Sequence, residues 1–294
     1  MFAQAIEKVS RFIRPVYTIR KRLADNYVLS SSATLFFVNN EGCAITCKHV
    51  VGLLIEAEKV NRNYSHYKAE LGQLPQDEYY LENCSKLKDR YNLKDDSTVQ
   101  IKSSFQNCVE PMAGFFWHLH PDYDLAVLQF KGFDRLLYQS HAVFLKNTDS
   151  IRQGDFLCRL GFPFPEFSNF SYNQDADEIE WTDKGTPGSP MFPVEGMVTR
   201  FMGHNGVKFG IELSTPGLIG QSGGPLFDRN GIIYGMQFQT KSLHLGFDVV
   251  DAEVMVKNRR EHVSDYAFMH LGNCIHVDII KDFLRANNIR FDEQ

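Results

Sequence analysis

The chain is predicted to be all-β, a barrel or sandwich carrying helical insertions and terminal helices. Three observations lead there. Ten short runs rich in β-branched and aromatic residues recur after Pro15: "VYTI", "TLFFV", "CAITC", "STVQIK", "LAVLQF", "DFLCRL", "GMVTRF", "KFGIEL", "GIIYGMQF" and "NCIHV". Turn formers punctuate many of them, as in "NNEG", "GFPFPE" and "DRNG". Helical periodicity is confined to a few segments, which argues against a layered α/β architecture.

Taken in order, the chain begins with a helix. Phe2, Ala5, Ile6, Val9, Phe12 and Ile13 recur at helical spacing, and Pro15 ends the pattern. Its apolar stripe is expected to pack on the body of the protein, and it could also serve an oligomer contact. The strands follow from Val16. Residues 53–93 break their rhythm, being charged, rich in Tyr and without alternation, so helical pieces are expected there. Residues 241–265 ("DAEVMVKNRREHVSD" among them) form a second charged insertion, expected to interrupt the strands. A last helix is expected over 278–289, with Asp278 as its cap and Ile279, Ile280, Phe283 and Leu284 turned inward.

Composition narrows the function classes. Across 294 residues, 43% apolar and 23% charged content is that of an ordinary globular protein. A formal net charge of -5 and the lack of a basic, aromatic-interleaved patch speak against nucleic acid as a partner. No apolar run has the length of a membrane span, and the N-terminus lacks the apolar core of a secretory signal, so a cytoplasmic location is expected. Six scattered cysteines do not read as a disulfide framework. Cys43, Cys47 and His49 form C-x3-C-x-H, but a fourth ligand at the usual spacing is missing, and no metal is expected.

The stretch "GLIGQSGGPLFDRNGIIYGMQF", Gly217 to Phe238, carries the strongest chemical signal. A nucleophilic serine needs backbone N–H donors aimed at the oxyanion formed on attack. Around Ser222, Gly220 can bend the chain so that its own N–H and that of Ser222 point the same way. Gly223 and Gly224 keep side chains clear of an approaching backbone, and Pro225 sets the exit into the next strand. A serine hydroxyl also needs a base. Among ten histidines His49 is best placed, following the small-residue end of "GCAITC"; His118 and His120 sit in the loop-like "WHLHPDYD". The base needs a carboxylate on its far nitrogen. Asp124 directly precedes the apolar run "LAVLQF" and is favoured over Asp122.

With His49, Asp124 and Ser222 in that order, the chain resembles the chymotrypsin/trypsin-like serine peptidases, and most of all the HtrA/Deg protease domain. "ATLFFVNNEGCAITCKHVV", "DLAVLQF", "GDFLCRLGFPF", "GMVTR", "IELSTPGLIGQSGGPLFDRNGIIYGM" and "GNCIHVDIIKDFL" carry the resemblance in family order. It implies a trypsin-like double six-stranded β-barrel, one peptidase unit over 1–294. The N-terminal barrel would span about 16–135 and the C-terminal barrel about 136–277. It also implies a His49–Asp124–Ser222 triad, an oxyanion hole from Gly220 and Ser222, a protein or peptide substrate, and no cofactor. The pocket for the residue before the cut would be built from Pro216, Met236, Gln237 and Phe238. Pro216 cannot supply the buried carboxylate that selects Lys or Arg, so a small or medium apolar residue is expected there.

Departures from the family are informative. "SSAT" stands where a small Gly-Ser-Gly entry is usual, and is expected to alter the first strand only. Gln221 stands where many relatives carry Asp or Asn, which argues against activation by N-terminal cleavage. No PDZ domain is expected after Gln294. Two other classes remain open at this point. One is a protease-like binding module without turnover, and the other is an enzyme held latent until a regulatory partner binds the inserted segments. The nucleophile elbow G-x-S-x-G of α/β-hydrolases is disfavoured, because a hairpin pattern rather than a helix follows Ser222.

Overall fold

Strand pairing closes the second half of the chain into a barrel and leaves the first half an open, curled sheet. The computed structural model describes residues 1–204 and 206–294. The first sheet holds β1 (Ile13–Arg22), β2 (Leu29–Phe37), β3 (Cys43–Thr46), β4 (Thr98–Phe105), β6 (Gly114–Leu119) and β7 (Ala126–Lys131), in the order β4-β1-β2-β3-β7-β6. Two-residue strands β5 (Val109–Glu110) and β8 (Arg135–Leu136) pair beside it.

In the second half, β10 (Phe156–Gly161), β13 (Phe192–His204), β14 (Val207–Leu213), β17 (Arg259–His276), β16 (Ile233–Val256) and β15 (Pro225–Phe227) pair in that order. Pairing of β15 back onto β10 then closes a six-stranded ring. The short β9 (Val143–Phe144) and β18 (Asp292–Glu293) extend it in parallel beyond β16. All ten sequence runs lie in strands, and the all-β class with helical insertions holds.

Four helices complete the fold: α1 (Ala3–Ser10), α2 (Lys48–Leu71), α3 (Tyr80–Arg90) and α4 (Val277–Ala286). Helix α1 lays Phe2, Ala5 and Val9 into the main core, with Phe2 edge-on to Phe227 at 6.4 Å. Ile13 is the first residue of β1, so this helix is shorter than its apolar spacing suggested. The 53–93 insertion is helical as expected. Tyr64 and Tyr67 of α2 and Leu87 of α3 join Leu93 and Val99 in a small satellite core. Asn61 of α2 grips the outer edge of β4, its amide donating to Ile101 O (2.7 Å) and its oxygen accepting from Ile101 N (2.9 Å). An open edge is thereby covered. The hairpin of β11 (Phe170–Asn173) and β12 (Glu178–Trp181) docks on α2 through Asp177, which accepts from Tyr64 and Tyr172 at 2.6 and 2.7 Å.

Two expectations are corrected. The 241–265 segment does not interrupt the strands: β16 and β17 run through it, paired from Lys241–Leu271 out to Val256–Arg259. Backbone pairing sustains this exposed arm without a buried face. Asp278 is not the cap of α4. That role falls to His276, whose Nδ1 accepts from Asp278 N at 3.2 Å, while the Asp278 carboxylate accepts from Thr148. No helix among the described residues is long and apolar enough to cross a membrane.

Candidate active site

His49 sits in the first turn of α2, just after β3 ends, and Asp124 in the turn that leads into β7. Strands β3 and β7 are hydrogen-bonded neighbours, Thr46 opposite Ala126, so their ends bring the two residues together. The grip is two-point. Asp124 Oδ1 accepts from His49 N at 2.9 Å, and Oδ2 lies 2.7 Å from His49 Nδ1. Burial pushes the Asp124 carboxyl up, but the side-chain and backbone hydrogen bonds from His49 outweigh it and hold the pKa below the ordinary value. An ionised Asp124 accepts only, so Nδ1 carries the proton and Nε2 is left as the basic nitrogen.

The loop that bears Asp124 is itself braced. His120 Nδ1 accepts from the backbone N–H groups of Asp122 and Tyr123, both at 3.1 Å, and Lys48 Nζ donates to His120 O and Pro121 O. His120 is thus occupied as a loop acceptor, a role that "HLHPDYD" hinted at only through its turn composition. Asp122 makes no hydrogen bond to His49 among the described residues.

Ser222 comes from the opposite side, in the glycine loop ahead of β15. Its carbonyl accepts from Thr34 N at 2.9 Å. Thr34 Oγ1 donates to Gly220 O (2.8 Å) and accepts from Phe162 N (3.2 Å), and Ser32 Oγ donates to Phe162 O (2.6 Å). The "SSAT" stretch therefore reaches beyond its own strand: its hydroxyls moor the Ser222 loop and the "GFPF" loop to β2. A short hydroxyl side chain can do this where glycine could not. Gly220 needs its freedom, with φ at +98° and a Cβ there falling 2.5 Å from Phe162 O. Gln221 is fully buried, its Oε1 accepting from Leu218 N (3.1 Å) and its Nε2 donating to Phe192 O (3.0 Å).

Within this loop the donors divide. The N–H groups of Gln221, Gly223 and Gly224 bond to Leu218 O, Gln237 O and Gln221 O. Those of Gly220 and Ser222 have no partner among the described residues, and neither has the Ser222 hydroxyl. No hydrogen bond joins His49 to Ser222 among those residues. The loop and the His49 segment are nonetheless adjacent: Gly223 packs against Thr34 O and Thr46 Oγ1, and Thr46 lies three residues before His49.

The residues expected to line the pocket fall in different places. Met236 is fully buried within the main core, and Phe238 is half-buried. Pro216 and Gln237 share a neighbour that the sequence reading missed. Arg159 of β10 donates to Pro216 O (3.0 Å) and to Gln237 Oε1 (2.8 Å). Its sequence signal was a lone cation in the apolar run "FLCRLG". Cys47, His49 and Asp124 are close enough to tempt a metal reading. The donor set does not fit one: burial raises the Cys47 thiol well above its ordinary pKa, and it already donates to Gln237 O.

Residues 33–236, more than two thirds of the chain, match the sequence profile of the trypsin-like peptidase domain. No curated protein matches the chain. Among solved structures it is similar to the HtrA-type protease AlgW with decapeptide, at 14% identity and a TM-score of 0.48, covering 97% of this chain and 67% of that one. The same protease with tripeptide gives 14% identity and a TM-score of 0.46, with 97% and 63% covered. The chain thus spans about two thirds of the length of these structures. The profile match runs from the strand that moors the Ser222 loop to the strand behind it, and on that ground the chain belongs to the trypsin-like peptidase domain family.

Proposed function

We propose that this peptidase-family chain is a serine endopeptidase in which Ser222 is the nucleophile, His49 the general base and Asp124 the residue that orients His49. The observation that carries this reading is the division of labour just described. Asp124 is committed twice to His49, and the two N–H groups flanking the Ser222 hydroxyl are the uncommitted donors of an otherwise hydrogen-bonded loop.

The chemistry follows from those groups. A peptide carbonyl enters beside Ser222, and its oxygen takes the N–H donors of Gly220 and Ser222. Each such donor contributes on the order of 3 kcal/mol to the transition state. Ser222 Oγ attacks the carbonyl carbon as His49 Nε2 removes its proton, and Asp124 stabilises the resulting imidazolium. His49 returns the proton to the leaving amine, and water, deprotonated by His49, releases the acyl group from Ser222. The missing His49–Ser222 hydrogen bond in the free chain fits a site whose last bond closes on substrate, as is common before a ligand binds.

A fluorophosphonate probe tests the reading, since it phosphonylates only an activated serine. The native chain should label at Ser222, located by peptide mapping, and Ser222→Ala should not label. A native chain that stays unlabelled while cleaving peptides would sink it. The same missing bond supports a second reading, latency: labelling would then be slow in the free chain and accelerate when a substrate-like peptide is added.

A further inference from the structure

Four charged side chains, those of Lys21, Arg159, Glu212 and Lys281, are buried among the described residues. Three have partners of opposite charge. Lys21 faces Asp177 at 3.6 Å, Glu212 meets Arg200 at 2.6 Å, and Lys281 meets Asp278 at 3.1 Å. Arg159, fully buried, forms no ion pair among those residues. Every acceptor it has is neutral. Nη1 donates to Gln237 Oε1 (2.8 Å), and Nη2 to Thr215 Oγ1 (2.7 Å), Pro216 O (3.0 Å) and Thr215 O (3.1 Å). Its Nε is buried with no partner. Burial lowers the guanidinium pKa, the mark of a cation held without a compensating charge. An unpaired interior charge is costly, so a fold that keeps one invites a use for it.

Its position suggests the use. Thr215 and Pro216 lead into the nucleophile loop, Pro216 six residues before Ser222. Gln237 lies directly behind that loop, its N–H donating to Gly224 O (2.8 Å) and its carbonyl accepting from Gly223 N (2.9 Å). Two glycines make room for the Arg159 and Gln237 side chains, which pack directly on them. A Cβ on Gly272 would fall 2.7 Å from Thr215 O and 3.0 Å from Arg159 Cζ, and one on Gly217 would fall 2.6 Å from Gln237 Cδ. The Thr240 hydroxyl adds a polar group nearby, donating to Gly217 O at 2.7 Å.

We infer that Arg159 is the specificity-determining residue of the primary pocket and that it selects an acidic side chain, Asp or Glu, immediately before the scissile bond. This rests on the serine peptidase reading and replaces the apolar preference expected from Pro216 alone. Gln237 is the gate. In the free chain its Oε1 occupies Nη1, and its Nε2 donates to Gln239 O at 2.7 Å. An entering carboxylate takes the place of Oε1 on the guanidinium, and the displaced amide is free to offer an N–H to the same carboxylate. Charge-assisted bonds of this kind outweigh the neutral one they replace.

The test uses the full chain and peptide mixtures with randomised flanks and a fixed Glu, Gln or Leu before the cut. Turnover is measured on the native chain and binding on Ser222→Ala. Glu peptides should be favoured over Leu peptides by about tenfold or more in both arms. Arg159→Gln should erase that preference. Because this variant could fail to fold, Gln237→Glu is the second arm: an internal carboxylate on Arg159 should also erase the preference while raising Tm. Equal handling of Glu and Leu by the native pocket, or a Glu preference that survives Gln237→Glu, overturns the inference. Labelling at Ser222 with a flat preference removes the inference and leaves the peptidase reading standing. Glu-selective binding without labelling removes the peptidase reading and keeps the acidic pocket.

Discussion

Beside the first sheet, His49 and Asp124 satisfy each other twice over; on the closed barrel, Gly220 and Ser222 hold two amide hydrogens and a hydroxyl with no partner among the described residues. One side was completed by folding and the other, on the proposed reading, is left for the substrate. The difference follows from the backbone that each side uses. Adjacent antiparallel strand ends place two side chains within reach and leave them to find each other. A glycine-rich loop pinned by Thr34 spends the N–H groups of Gln221, Gly223 and Gly224 on its own turns and on Gln237, and leaves those of Gly220 and Ser222 unspent among the described residues.

Changes on either side should separate these roles. The largest effect is expected from Asp124→Asn. Its amide turns an N–H toward His49 Nδ1 and imposes the wrong tautomer, so kcat for peptide hydrolysis should fall by about 10^4 while KM moves little. On the other side, Gly220→Ala forces a side chain onto Phe162 O at a positive φ. The loop must shift and one oxyanion donor is lost, so kcat should drop on the order of 10^2 to 10^3, read against a peptide ester and an amide in parallel. Thr34→Val keeps the shape and removes the mooring, leaving Gly220 O and Phe162 N unpaired. Denaturant titration should give a loss of about 1–3 kcal/mol, with a smaller loss of kcat than Gly220→Ala.

The smallest effect concerns acid. Asp124 has a folded-state pKa below its unfolded value, so its contribution to stability is complete above the unfolded pKa, about 4. It is lost as pH falls through the lower, folded value. Thermal melts taken downward from about pH 4 should therefore fall more steeply for the native chain than for Asp124→Asn; parallel curves would show that the His49 contact adds nothing to the fold.

The sequence revealed more of the buried strands than of the exposed ones. Runs such as "TLFFV" and "LAVLQF" announce themselves because burial demands apolar side chains. The start of the loop-like "WHLHPDYD" belongs instead to β6, where Phe116 and Trp117 are exposed on the sheet edge and Phe115 alone packs on the core, too little burial to impose a pattern. The arm of β16 and β17 is the extreme case, exposed on both faces with charged and apolar residues mixed, and held by ladder bonds that leave no periodic trace in hydropathy. Candidate chemistry was legible where it required rare composition, as in the glycines around Ser222. It was illegible where it depended on an ordinary residue in an unusual place. The hydroxyls of "SSAT" look like surface serines until they are seen to hold another loop, and Arg159 looks like one more strand residue until its counter-charge is sought.

The grip of Asn61 on β4 has a consequence for the open sheet. A carboxamide is a peptide group in miniature, with one acceptor and a donor at nearly the same spacing. Placed against Ile101, it counterfeits a single rung of a missing neighbour strand, so the long helix that follows His49 also quarantines the sheet from stray chains that would otherwise add themselves to it.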